Sequence, residues 1–74
     1  MRTVREAAAV VRELRTEASW TQRELAERAN VSRSFVAELE TGKGTVEAAK
    51  LLDVFQAFGL EMALRDRETG RVRW

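Results

Sequence analysis

With 74 residues the chain has room for one domain around one small core. Its 13 basic and 12 acidic side chains, a net charge of +1, exclude a bulk polycation that coats nucleic acid, so any contact with DNA must come from where the charges sit. Cysteine and histidine are both absent, which removes disulfides, the usual metal ligands and the usual general base, and no metal, cofactor, small-molecule substrate or enzymatic activity is expected.

No apolar run approaches the roughly 20 residues of a bilayer-spanning helix. The opening MRTVREAAAVVRE carries acids within its apolar pattern, so a soluble cytoplasmic protein with no membrane partner is expected. The absence of proline, the four glycines and the 45% hydrophobic content favour compact helices over a linker or tail.

Thr3 followed by Glu6 is a capping-box pattern opening a first helix, in which Ala7, Val10, Val11 and Leu14 recur at helical spacing to about Thr16. After TEAS and Trp20, the pair Thr21 and Glu24 repeats the pattern before Leu25, Ala26 and Ala29, a second helix. Asn30 stands where a left-handed residue would end that helix, a conformation asparagine tolerates well. Ser32 caps a third helix from Arg33 to about Glu40, with Val31 placed to staple against Val36 and Gly42 to stop it. Thr45, with Glu47 early in the next turn, opens a fourth helix whose stripe of Ala48, Leu51, Leu52, Phe55 and Phe58 ends at Gly59. Trp20, Leu14, Val11, Leu25, Val36, Leu39, Leu52 and Phe55 are assigned to the core, Trp20 as a plug at the mouth of helix two.

Beyond Gly59 the period changes. Leu60, Met62 and Leu64 fall on one side and Glu61, Ala63 and Arg65 on the other, which reads as a strand. DRETG supplies turn residues, and RVRW can return as a second strand with Val72 and Trp74 alternating with the arginines, so one strand and a hairpin both stay open. A lone hairpin is marginal in water and must pack on the helices or pair with another chain; pairing is favoured. The expected fold is therefore mainly α, four short helices over residues 1–59, with a β segment over 60–74 that makes a dimer through Leu60, Met62, Leu64, Val72 and Trp74.

Helix two, a turn of three or four residues and helix three make a helix-turn-helix, which projects its second helix into the major groove. In TQRELAERANVSRSFVAELETGK, with VVRELR upstream, the chain resembles the Xre/Cro-like repressors from about Val10 to Gly59. The elements TQ, LA, VS, LE and GK fall at that family's spacings, and Asn30 stands where glycine is common. Within the family it is most similar to HipB-type antitoxins, because SRSFVAELETGK is followed by a short helix and then FGLEMAL, a strand where many phage repressors continue helically. In those relatives the strand pairs with its two-fold mate, and the dimer represses its own promoter and binds a kinase-fold toxin.

The resemblance implies base contacts from Ser32, Arg33, Ser34, Ala37 and Glu38, at the start and exposed face of helix three. Arg33 is the leading one, since its guanidinium suits guanine O6 and N7 and no other long basic side chain lies on that helix. Ser34 and Ala37 are small enough for close approach to a base edge or thymine methyl, whereas Glu38 can accept from cytosine N4, orient Arg33 or face solvent. Phe35 either meets DNA or packs against the edge of helix two. Phosphate contacts are expected from Thr21 and Gln22 at the positive end of helix two, with Arg23 and Lys43 adding charge. The resemblance also pairs Arg15 with Glu40, a salt bridge that ties helix one to the end of helix three. The acidic face of Glu6, Glu13 and Glu17 can meet a basic partner or simply face solvent.

A dimeric repressor on double-stranded operator DNA, nucleoid-associated and doubling as an antitoxin, is thus the leading expectation. The alternatives are a phage-type repressor or restriction-modification controller without a toxin, and an interaction module that has lost DNA binding.

Overall fold

The computed structural model describes residues 3–73. In chain order the elements are α1 (Val4–Glu17), α2 (Gln22–Ala29), α3 (Arg33–Thr41), α4 (Ala48–Ala57), β1 (Leu64–Arg65) and β2 (Val72–Arg73). The fold is mainly α, as expected, with the two strands forming an antiparallel hairpin at the C-terminal end. No helix among the described residues is long and apolar enough to cross a membrane.

The caps form where the sequence places them. The Thr3 hydroxyl accepts from the Glu6 amide at 3.1 Å, and Ser32 Oγ accepts from the Phe35 amide at 3.0 Å. At α2 the box is complete: Thr21 Oγ1 accepts from the Glu24 amide at 3.0 Å, while Glu24 Oε1 accepts from the Thr21 amide at 3.1 Å. Each satisfies donors that the first turn cannot pair internally. The fourth cap differs from expectation. Helix α4 starts at Ala48 behind Glu47, which makes no side-chain cap bond, and Thr45 lies outside the helix. The Glu47 carboxylate instead holds Lys50 Nζ at 3.3 Å.

Three helices end alike, with a left-handed residue and an amide reaching back five residues. Trp20 donates to the Arg15 carbonyl past Ser19 (φ 59°), Val31 to Ala26 past Asn30 (φ 58°), and Leu60 to Phe55 past Gly59 (φ 75°). This pattern satisfies carbonyls that the last turn leaves open. Only Asn30, Val31 and Ser32 separate α2 from α3, so the turn has three residues. Gly42, which ends α3, is required twice over. Its φ is +71°, and a Cβ there would come within 3.2 Å of the Arg5 backbone, because α1 crosses close to the end of α3.

Val11, Leu25, Val36, Leu39, Val54 and Phe55 form the centre of the core, joined by Ala26 and Ala29, and Val31, Leu14 and Trp20 pack against it. Leu52 is a correction: it is 41% exposed. At about 100° per residue, Val54 and Phe55 occupy the inward arc of α4 and Leu52 falls about 60° beyond Phe55 on the outer flank. Val54, which lay outside the expected stripe, is fully buried. Trp20 stacks on Phe58 with centroids 5.1 Å apart and planes 16° from parallel, while the Arg28 guanidinium carbon lies 4.4 Å from its ring centroid. It therefore closes the core between the start of α2 and the end of α4.

The β segment is shorter than the alternation suggests. Residues 60–63 belong to no helix or strand, and only Leu64 and Arg65 pair, with Arg73 and Val72 respectively. Directly opposed residues share a face, so Leu64 and Val72 lie on opposite faces of the hairpin and do not build one apolar surface. The turn is locally held: Asp66 Oδ1 accepts from the amides of Glu68 at 2.8 Å and Thr69 at 3.1 Å. Every described residue from Gly59 on is exposed, and Trp74 lies outside the described residues.

Candidate nucleic-acid interface

The base of the site is a buried carboxylate. Glu40, near the end of α3, is only 6% exposed. Arg15 Nε donates to its Oε2 at 2.6 Å and Arg15 Nη2 to its Oε1 at 2.9 Å, a bidentate pair between α1 and α3. The Arg15 Nη1 donates to the Trp20 carbonyl at 2.8 Å and Arg12 Nη1 to the Glu40 carbonyl at 3.3 Å. Hydrogen bonding to Glu40 raises the Arg15 pKa above its ordinary value, outweighing the opposing effect of burial. The Arg15 guanidinium thus stays charged across the whole working range of pH. Gln22 joins it, with Nε2 donating to Glu40 Oε1 at 3.4 Å. One carboxylate therefore links the first three helices and fixes the first residue of α2 relative to α3.

That arrangement creates a shallow depression of about 480 Å³, lined by Thr21, Gln22, Arg23 and Arg33 with Arg15 beneath. Arg15 is neutralised by Glu40, so Arg23 and Arg33 supply its uncompensated positive charge. The capping box engages the Thr21 and Glu24 amides. Gln22 and Arg23, the first two residues of α2, retain the backbone N–H groups that a helix start aims outward. A phosphate fits this chemistry: two amides, the second hydrogen of the Gln22 carboxamide, and a nearby guanidinium.

On α3, Ser32, Arg33, Ser34 and Glu38 are exposed and Ala37 is half-buried. They present a continuous outward arc, because α3 turns its Val36, Leu39 and Glu40 inward. The Ser32 hydroxyl accepts from Phe35, leaving its own O–H free to donate. Phe35 is half-buried and packs against the core. The residue over its ring is Lys50 of α4, with Nζ 5.7 Å from the centroid, rather than a residue of helix two. Lys43, exposed in the loop after α3, sits beyond the helix end, where its amide donates to Thr41 Oγ1 at 3.3 Å. It does not line the depression. Lys50 itself was not singled out from the sequence; its one signal there was a glutamate three residues earlier, the spacing at which helical side chains meet.

A second concavity has a volume of about 730 Å³. Val10 and Phe55 line it together with residues 60–65 and Arg67. Leu60, Met62 and Leu64 are 42%, 47% and 78% exposed there. Glu61, Arg65 and Arg67 share the lining with these apolar side chains.

A family model described as helix-turn-helix matches residues 11–64, most of the chain. Two solved structures superpose with TM-scores of 0.82 at 20% identity, each covering 92% of this chain and 96% of the other. One is described as MDT Protein and the other as the structure of a HipA-HipB-O2-O3 complex. No curated protein matches the chain.

Proposed function

The chain belongs to the Xre-like helix-turn-helix family, and from that premise we propose that it is a sequence-specific DNA-binding repressor, a homodimer that serves as the antitoxin of a HipBA-like pair and represses its own operon. One observation carries the DNA-binding part: the Arg15–Glu40–Gln22 linkage sets the phosphate-binding start of α2 beside Arg33 at the start of α3. Thr21, Gln22 and Arg23 grip one phosphate backbone and Lys43 adds charge beyond the helix end. Arg33, with Ser32, Ser34, Ala37 and Glu38, reads base edges. Residues 1–59 bind DNA and residues 60–74 pair two protomers, so that two recognition helices meet half-sites about one helical turn apart.

The antitoxin part rests on the likeness in fold to a chain of the HipA-HipB-O2-O3 complex, which extends over 92% of this chain. Its partner is a kinase-fold toxin. The open groove and the exposed Leu60, Met62 and Leu64 support the homodimer, since a second copy would cover them.

The test is a titration of the purified protein against DNA from its own upstream region at two salt concentrations, with Arg33→Ala as control. Sequence-preferring binding is expected, with about 1–3 kcal/mol of discrimination lost in the variant. No binding, or equal binding to unrelated DNA, would overturn the reading. Coexpression with a neighbouring kinase-like gene tests the antitoxin half: a stable complex is expected, and two proteins that purify separately would refute it.

A further inference from the structure

A helix lying in the major groove has a phosphate backbone on each side, yet the depression between α2 and α3 accounts for only one. Arg33 and Phe35 are two residues apart, about 200° around α3, and so occupy opposite flanks of its outward arc. The Arg33 flank meets the start of α2. The Phe35 flank meets Lys50, whose ammonium lies 5.7 Å from the Phe35 ring centroid and 3.3 Å from Glu47 Oε2.

Resting on the DNA-binding reading above, the geometry points to Lys50 as the contact to the second phosphate backbone, held in place by Phe35 and restrained by Glu47 until DNA arrives. Three features lead there. The ring of Phe35 gives the ammonium a platform that leaves its other hydrogens unblocked, since a cation over a π face donates no conventional hydrogen bond to it. Glu47 is spared from capping α4 and serves as the counter-charge that a phosphate would replace. Both side chains are substantially solvent-exposed, 46% for Lys50 and 63% for Glu47, so exchanging one anion for another needs no rearrangement of the core. Phe35 is thereby explained: an aromatic residue on the edge of a recognition helix orients a cation and need not read a base.

The experiment measures binding of operator DNA against salt concentration for the full chain and for Lys50→Gln, Lys50→Arg and Glu47→Gln. Each phosphate contact contributes about 0.9 to the slope of log K against log salt. Lys50→Gln should therefore lower the slope by about that amount per protomer and weaken binding at 0.1 M salt about eightfold per protomer, about 60-fold for a dimer, equally on all sequences. Lys50→Arg should restore the slope, and Glu47→Gln should bind more tightly than the natural chain. Thermal unfolding of all three should match it, which separates contact from folding. A Lys50→Gln protein that binds with an unchanged slope overturns the Lys50 contact alone. Failure of the natural chain to prefer operator DNA overturns the DNA-binding reading, and this inference with it.

Discussion

The corner between α2 and α3 and the C-terminal hairpin are built on opposite terms. At the corner, a carboxylate on a residue 6% exposed accepts three hydrogen bonds from two side chains, Arg15 and Gln22, on two other helices, and Val36 and Leu39 of the same helix are 0% and 2% exposed. In the hairpin no described residue is buried, and the bonds that shape it run within its own ten residues, 64–73. The contrast teaches which part is finished within one chain. On the proposed reading, the surface that holds arginine and glutamine at fixed spacing for DNA is over-determined, whereas the surface proposed to receive a second copy is left open.

The largest expected effect comes from breaking the open region. Replacing Met62 and Leu64 together by Glu removes, from each protomer, two apolar side chains worth about 1.5–3 kcal/mol apiece on burial. The natural chain is expected to sediment as a dimer and the variant as a monomer at the same concentration, while the variant's own fold, in which both residues are exposed, keeps its circular dichroism. A variant that still sediments as a dimer would refute this interface.

Next comes the corner. Glu40→Ala strands the Arg15 guanidinium, whose side chain is 19% exposed. Breaking a fully buried pair costs about 3–5 kcal/mol, and the partial exposure of Arg15 places the expected loss nearer 2–3 kcal/mol in urea unfolding. Operator affinity should fall by more than the folded fraction accounts for, because Gln22 loses its anchor as well. A loss below about 0.5 kcal/mol would mean that the pair does not hold the corner together.

The smallest effect sharpens the contrast within the hairpin. Amides of Thr69 and then Glu68 hold the Asp66 carboxylate below the usual carboxylate range. A depressed folded value stabilises the turn above the unfolded pKa, and the contribution is lost as pH falls through the folded one. The Glu68 and Thr69 amide resonances should shift only in acid, below about pH 4, while the core resonances around Leu25 stay put. A shift centred above that range would show that Asp66 does not hold the turn.

The same contrast marks what could be read in advance. Thr3, Thr21 and Ser32 cap their helices through bonds to residues three positions away, and such contacts are legible because both partners lie in one window of sequence. Asn30 and Gly42 were legible for the same reason, since a left-handed residue is a property of one position. Ser19 also adopts that conformation and escaped notice because serine carries no preference for it. Leu52 and Val54 exchanged roles, as periodicity gives the width of an apolar stripe but the packing of α4 on α2 decides which residues of it face inward. The strand expected over Leu60–Arg65 shrank to two paired residues, since alternation gives a face but a ladder needs a partner strand. In the candidate interface, Arg33 and Gln22 were singled out through the family resemblance, whereas Lys50 was not, because its neighbour Phe35 is fifteen residues away in the chain.

By itself, then, the amino-acid sequence determined where each of the first three helices begins, how tightly α2 turns into α3, and which residue types stand on the exposed arc of α3, all through interactions that span at most five residues. Only the tertiary structure decided which flank each of those residues faces, that Glu40 holds Arg15 and Gln22 together, and that Lys50 reaches Phe35. Those contacts join residues from different helices, and their geometry follows from how the buried surfaces of Val11, Leu25, Val36 and Val54 fill one core rather than from any local preference.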